Sequence, residues 1–352
     1  MGAEGARAEG RMSLPAADLA RVLRSQDDPA HAGKEVHVQN LTIGAHILAS
    51  DASGIIDGIV AADRAGLNTA WLTSGGPAPD PLAVFAAAAG ETEQIGFGTS
   101  IIPTFPRHPL AVVQGAVVVD QLAPGRLKLG VGPSHKPAVE STYRFEFTRP
   151  LQHLREYLTI LNAILKEGSV EFHGERLHCE AQLQAPTQVQ VMASALRPNA
   201  YRLCGELADG AISWVSPLAH QQRVAIPAME EGAREAGKQR PALVSHTPVV
   251  VSEDADAVWE AAQAQLGFYP RLPYYSAMWQ DAGFPEAEDG TFSRAMSDSL
   301  VIQGSEEAVA ERIRALPSFG VDEMLAGILR LEGDRAAADR TIELLGALAR
   351  ES

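Results

Sequence analysis

The sequence predicts an α/β protein and, within that class, a (β/α)8 TIM barrel. Three observations carry this. Strand and helix patterns alternate eight times from Leu41 onward. Several strand candidates are near-continuous apolar runs, the pattern of parallel strands covered on both faces. The length of 352 residues accommodates eight such units. A doubly wound sheet accounts for the same alternation less well, because it leaves two strands to place at edges.

The strand candidates in order are residues 41–48, 69–73, 94–102, 126–131, 189–193, 210–214, 243–251 and 321–328. Helical patterns follow each of them, at 54–65, 81–89, 109–121, 151–166, 198–207, 217–236, 254–266 with 306–316, and 333–350. Pro198 suits a first helical turn, where a missing N–H costs nothing. Asp209-Gly210 and Phe319-Gly320-Val321 read as helix-to-strand turns. Two segments interrupt the alternation. Residues 167–186, after helix four, alternate like a short hairpin decorating the rim. Residues 267–299, before strand eight, hold an aromatic and Pro-rich piece and then an acidic one, which suits a lid or pocket wall. Residues 1–40, rich in Ala, Arg, Asp and Gly with one helical piece at 16–25, read as an N-terminal extension outside the barrel of residues 41–352, partly disordered by composition.

Composition narrows the function classes. A formal charge of −15 argues against nucleic acid or an anionic membrane surface as partner. No stretch approaches the ~20 apolar residues of a membrane span, and the N-terminus lacks the apolar core of a signal peptide, so a cytoplasmic protein is expected. Cys179 and Cys204 stand in no metal-ligand spacing, and no metal site is expected.

In a parallel barrel, chemistry collects at the C-terminal strand ends. Two such ends stand out: Gly98-Thr99-Ser100-Ile101-Ile102-Pro103-Thr104-Phe105 and Gly130-Val131-Gly132-Pro133-Ser134-His135. The second tempts a dinucleotide reading. His135, however, occupies the place of the third glycine, and Glu156, at the distance of a ribose acceptor, lies in a helical pattern. No P-loop, HExxH or nucleophile elbow is present. His135, with an ordinary pKa of ~6.5, can give or take a proton at neutral pH. Trp214 near the end of strand six, with Tyr269, Tyr274 and Tyr275 in the 267–299 segment, can line an apolar substrate cavity, whereas Trp71 reads as core. Ser194-Ala195-Leu196-Arg197 precede the helix at Pro198, whose free N–H groups can hold an anion.

These motifs resemble the luciferase-like monooxygenase superfamily, and within it the branch that uses the deazaflavin coenzyme F420. The residues that carry the likeness are Gly98-Thr99-Ser100-Ile101, Ala123-Pro124-Gly125-Arg126 with Leu129-Gly130-Val131-Gly132, Val170-Glu171-Phe172-His173-Gly174-Glu175, Leu203-Cys204-Gly205-Glu206-Leu207-Ala208-Asp209-Gly210, Glu231-Gly232-Ala233 and Gly304-Ser305. The resemblance implies a non-prolyl cis peptide at Ser100-Ile101 behind a tricyclic ring, with Thr99, Gly132 and Ser134 shaping the ring site. It implies His46 at the end of strand one against ring or substrate. It also implies that Ser194, Ala195, Leu196 and Arg197 bind the phosphodiester tail. His135 stands where relatives acting on sugar phosphates carry a glutamate, a departure that puts that substrate in doubt. The implied function is hydride transfer between F420 and a small organic substrate, with His135 as proton relay, in a homodimer. The alternatives are an FMN-dependent monooxygenase served by a separate reductase, and a catalytically silent flavin-binding relative.

Overall fold

The computed structural model describes residues 41–351. The expected 1–40 extension and its helical piece lie outside the described residues. Eight strands, all in parallel pairs, form the closed cylinder: β1 (Thr42–His46), β2 (Thr69–Leu72), β3 (Gly96–Thr99), β4 (Leu127–Gly132), β5 (Gln190–Ala195), β6 (Gly210–Ser213), β7 (Ala242–Val251) and β8 (Glu323–Ile328). β1 pairs with β2 on one side and β8 on the other, and β6 with β7 completes the ring. A short continuation, Ile102–Pro103, keeps pairing with β4 after the cis peptide Ser100-Ile101.

Local chemistry sets the helix ends. Asp51 caps helix Ala52–Ala65 by accepting from the Gly54 N–H, and Gly66 ends it with φ 87, a left-handed turn that glycine adopts freely. The predicted helices at 151–166 and 217–236 are not uniform. The first is helix Pro150–Asn162 followed by a π turn, Ala163–Glu167, and the second holds a π turn, Gln221–Ala225, before helix Ile226–Glu235. The main core lies between cylinder and helices, where Phe85 and Phe97 stack with centroids 5.0 Å apart among Ile43, Ile59, Leu129 and Val191.

The cylinder's interior is layered. At the N-terminal end Lys128 Nζ meets Glu323 Oε2 at 2.5 Å and donates to Thr69 Oγ1, while Trp71 Nε1 donates to Glu323 Oε1 at 3.1 Å. Above this pair Trp71, Met192, Ile212, Val244 and Leu325 fill the middle. The Trp71 ring fits because Gly44 and Gly98 leave it space: a Cβ on either would lie 2.6 Å or 2.3 Å from the indole. The C-terminal layer is different in kind, and forms the candidate site.

The two interruptions are real elements. Strands Ser169–His173 and His178–Gln182 make the expected hairpin. It lies along the barrel flank against helix Pro150–Asn162, where Glu156 accepts from the backbone N–H groups of Glu175, Arg176 and Leu177, and it meets the rim where the His108 ring contacts the His178 carbonyl at 3.1 Å. The second segment folds as helix Pro273–Asp281 and helix Arg294–Leu300 with short 3-10 turns. Tyr275, Met278, Trp279, Phe292 and Met296 pack it into a second core with Val215, Val250, Val258 and Leu329. No helix among the described residues is long and apolar enough to cross a membrane.

Candidate active site

The C-terminal mouth of the cylinder has two unlike halves. On the β3–β5 side it is built of backbone and small side chains. Thr99 Oγ1 donates to the Gly130 carbonyl at 2.7 Å and ties β3 to β4. Gly132 packs so closely that an added Cβ would stand 2.1 Å from Ser194 Oγ and 3.3 Å from Ile101. Ser100 Oγ and Thr104 Oγ1 are buried there without a protein partner, which leaves two hydroxyls to be satisfied by a ligand or water. Ser134 takes a left-handed backbone (φ 62), and His135 then begins the short helix Lys136–Thr142.

The opposite half is a continuous series of rings. His46 Nε2 lies 3.0 Å from Thr73 Oγ1, whose hydroxyl is also 3.0 Å from the Ser100 carbonyl. The His46 ring meets Trp214 edge-on at 5.6 Å, and Trp214 stacks on His246 at 3.7 Å with planes 15° apart. Trp214 Nε1 donates to the Tyr269 hydroxyl at 2.5 Å, docking the 267–299 segment onto the end of β6. Tyr269 packs on Tyr275 at 4.8 Å, and both meet His135, at 6.3 and 5.7 Å.

Burial keeps the imidazoles and phenols of this half uncharged at pH 7. It lowers the His46 pKa to about 4, with the Arg330 guanidinium adding to the effect, and that of His246 to about 3, with His46 adding. His135 moves in the same direction for the same reason. Burial raises Tyr269 to about 12 and Tyr275 well above the ordinary phenol value. Neutral imidazoles and protonated phenols can exchange protons with a reacting group without bringing net charge into the site.

Comparison with known proteins places this geometry. The sequence profile of the luciferase-like monooxygenases matches residues 29–323. The chain belongs to the luciferase-like monooxygenase family. It is 31% identical over 195 residues to an F420-dependent glucose-6-phosphate dehydrogenase of Microbacterium testaceum, covering 53% of this chain and 57% of that protein. The coenzyme F420 dependent tetrahydromethanopterin reductase from Methanopyrus kandleri superposes with TM-score 0.71 at 21% identity, over 87% of this chain and 97% of that one. The oxygenating constituent of 3,6-diketocamphane monooxygenase from Pseudomonas putida, in complex with FMN, gives 0.68 at 18% identity, over 88% and 97%.

For this luciferase-like family member, the structure brings His46, Ser100, Ile101, Gly132, Ser134, His135, Ser194, Trp214 and Tyr269 to one mouth. Two expectations are corrected. Tyr274 is 53% exposed, and its neighbour Tyr275 is buried against the rings, because adjacent helix positions point about 100° apart. Thr99 is fully buried with its hydroxyl spent on Gly130, so its side chain braces β3 and offers a ligand nothing. The Arg197 side chain is paired with Asp281 and the Leu196 side chain packs into the second core, neither of which bears on the backbone N–H groups expected to hold the tail. The helix Pro198–Leu207 keeps the expected N-terminus without a side-chain cap.

His246 was missed by sequence reasoning. Its signal is phase: Val244 faces the interior, so a strand of period two turns His246 inward one layer higher, beside Gly327. Its Nδ1 is buried without a partner.

Proposed function

We propose that this chain is an oxidoreductase of the luciferase-like class that binds F420 at the barrel mouth and exchanges a hydride with a small organic substrate. The convergence of a small-residue half, with the unpartnered Ser100 and Thr104 hydroxyls, against a half of uncharged rings is the observation that carries this reading. The first half suits a flat polar heterocycle, and the uncapped helix N-terminus at Pro198 suits its phosphate tail. F420, when bound, supplies a two-electron hydride carrier. Ser100, Ile101, Gly132 and Ser194 would hold it, and Trp214 with the 267–299 segment would exclude water from the other face.

The protein's share of the chemistry is then proton handling. His46, oriented by Thr73, stands at the base of the mouth as an imidazole that can accept a proton at Nε2 or Nδ1. His135, against Tyr269 and Tyr275, stands at the upper wall as the second relay. The FMN-bound neighbour supports a second reading, an FMN-dependent monooxygenase, because the same small-residue half suits either ring. Anaerobic titration with F420 and with FMN, followed by cofactor fluorescence, tests the choice. Saturable F420 quenching is expected, and tight FMN binding without F420 binding overturns it. Sedimentation velocity tests the homodimer that the resemblance implies.

A further inference from the structure

We propose that the outward face of the hairpin Ser169–His173/His178–Gln182 binds a divalent transition cation through Glu171, His173 and Glu180, with His178 beside them as a second imidazole. The site lies on the barrel flank, outside the mouth, and does not depend on the cofactor reading. The expectation of no metal site rested on cysteine spacing, which a set of carboxylates and imidazoles does not use.

The first argument is register. The two strands pair antiparallel, with Glu171 opposite Glu180 and His173 opposite His178. Alternation with period two puts all four side chains on one face. Val170, Phe172, Cys179 and Ala181 take the other face and pack against the main core, which leaves the four polar residues exposed. Three ligand atoms already converge there. His173 Nε2 lies 3.2 Å from Glu180 Oε1 and 4.0 Å from Glu171 Oε1, and one ligand atom from each of the three lies within 4.8 Å of the others. Ligands bound tetrahedrally to a zinc-sized ion at ~2.1 Å stand about 3.4 Å apart, so small side-chain rotations close the set. The His178 ring, with its centroid 5.9 Å from that of His173, stands next to the trio.

The second argument is charge that the fold leaves unbalanced. Like charges directly opposite on paired strands repel, yet Glu171 faces Glu180. An imidazole nitrogen carries at most one proton, so a hydrogen bond from His173 Nε2 serves one carboxylate and leaves the other uncompensated. No lysine or arginine among the described residues pairs with Glu171 or Glu180. A divalent cation compensates both carboxylates and accepts the lone pair of a neutral imidazole. Imidazole in the set favours zinc-like ions over Ca2+ and Mg2+, which take oxygen ligands. The hairpin is otherwise anchored at its turn, where Glu156 accepts from the Glu175, Arg176 and Leu177 N–H groups, and at the His178 carbonyl, which the His108 ring meets at 3.1 Å. A bound ion would clamp the two strands on their exposed side.

The test is calorimetric titration of the full, untagged and metal-stripped chain at neutral pH with ZnCl2, CaCl2 and MgCl2. Saturable binding of Zn2+ at one site per chain is expected, with Ca2+ and Mg2+ too weak to saturate. His173→Ala and the double variant Glu171→Gln/Glu180→Gln should each weaken Zn2+ by roughly tenfold or more, since loss of even an outer partner of a ligand costs that much. All three positions are exposed, so both variants should keep the wild-type circular dichroism spectrum. Zn2+ should also slow amide hydrogen exchange across residues 169–182 in the wild type and not in the variants. Absence of saturable Zn2+ binding, unchanged Zn2+ affinity in either variant, Ca2+ or Mg2+ binding as tight as Zn2+, or exchange protection confined to other segments overturns the proposal.

Discussion

His246 offers a quantitative test of the buried mouth. Its ring is 4% exposed, stacked on Trp214, with Nδ1 unpaired, and its pKa falls from 6.5 to about 3, first through burial and then through His46. The unfolded chain therefore binds a proton near pH 6.5 that the folded chain refuses until about pH 3. Between these values the unfolded state holds more protons, so stability rises with pH across the window and is lost as pH falls below 6.5. The full difference corresponds to ~5 kcal/mol, and the part lost at pH 5 to ~2 kcal/mol. In His246→Phe the ring still stacks on Trp214, no hydrogen bond is lost at Nδ1, and this proton linkage vanishes. Denaturant unfolding at pH 7 and pH 5 should show the variant losing about 2 kcal/mol less than wild type between the two. His46 and His220, each lowered to about 4, keep a residual acid slope in both proteins. Equal losses in variant and wild type would refute the claim that His246 is held neutral in the fold.

Three further outcomes follow from the layered interior. Gly98→Ala puts a Cβ 2.3 Å from Trp71 Cε3 and should cost ~1–3 kcal/mol, read as a lowered thermal midpoint. Glu323→Gln strips Lys128 of its carboxylate in a buried setting and should cost ~3–5 kcal/mol in unfolding experiments while F420 affinity stays near wild type, since the pair lies at the opposite end of the cylinder. His135→Ala should lower turnover by ~10²-fold or more with cofactor affinity retained; an unchanged rate would remove His135 from proton transfer and favour the catalytically silent alternative.

Much of the scaffold was legible because parallel strands buried on both faces write themselves as apolar runs. LKLGVG of β4 and ALVSHTPVVV of β7 are examples. That same rule hid His246, since the short polar run Ser245-His246-Thr247 inside a strand that begins and ends apolar reads as core until its layer is known. The 100° step between helix neighbours separated Tyr274 from Tyr275, and a boundary uncertainty of one residue is enough to exchange them. Thr99 sits among the right residues but braces the strand, a distinction that only its 2.7 Å bond to Gly130 makes visible. The π turns at Ala163–Glu167 and Gln221–Ala225 have no residue signature that separates them from ordinary helix.

The distribution of glycines explains why the mouth has two unlike halves. Gly44, Gly98, Gly130 and Gly132 lie on β1, β3 and β4, the strands around β2 and next to it in the arc, and neighbouring groups occupy the space a side chain would need. Trp71 from β2 takes the volume released at the middle level, and above it the β3–β4 side carries backbone, Gly132 and the side chains of Ser100, Ile101 and Thr104. Strands β5 to β8 instead contribute Met192, Ile212, Val244 and Leu325 at the middle level, with Trp214 and His246 above. A cylinder filled evenly from all eight strands would close its own top. Here one arc is filled by a single indole from below and the other by large side chains from the wall, so the free space lies to one side. Gly132→Val tests this directly: the new side chain meets Ser194 and Ile101, and should abolish F420 quenching while the thermal midpoint falls by only a few degrees. Retained quenching would place the ring elsewhere on the barrel.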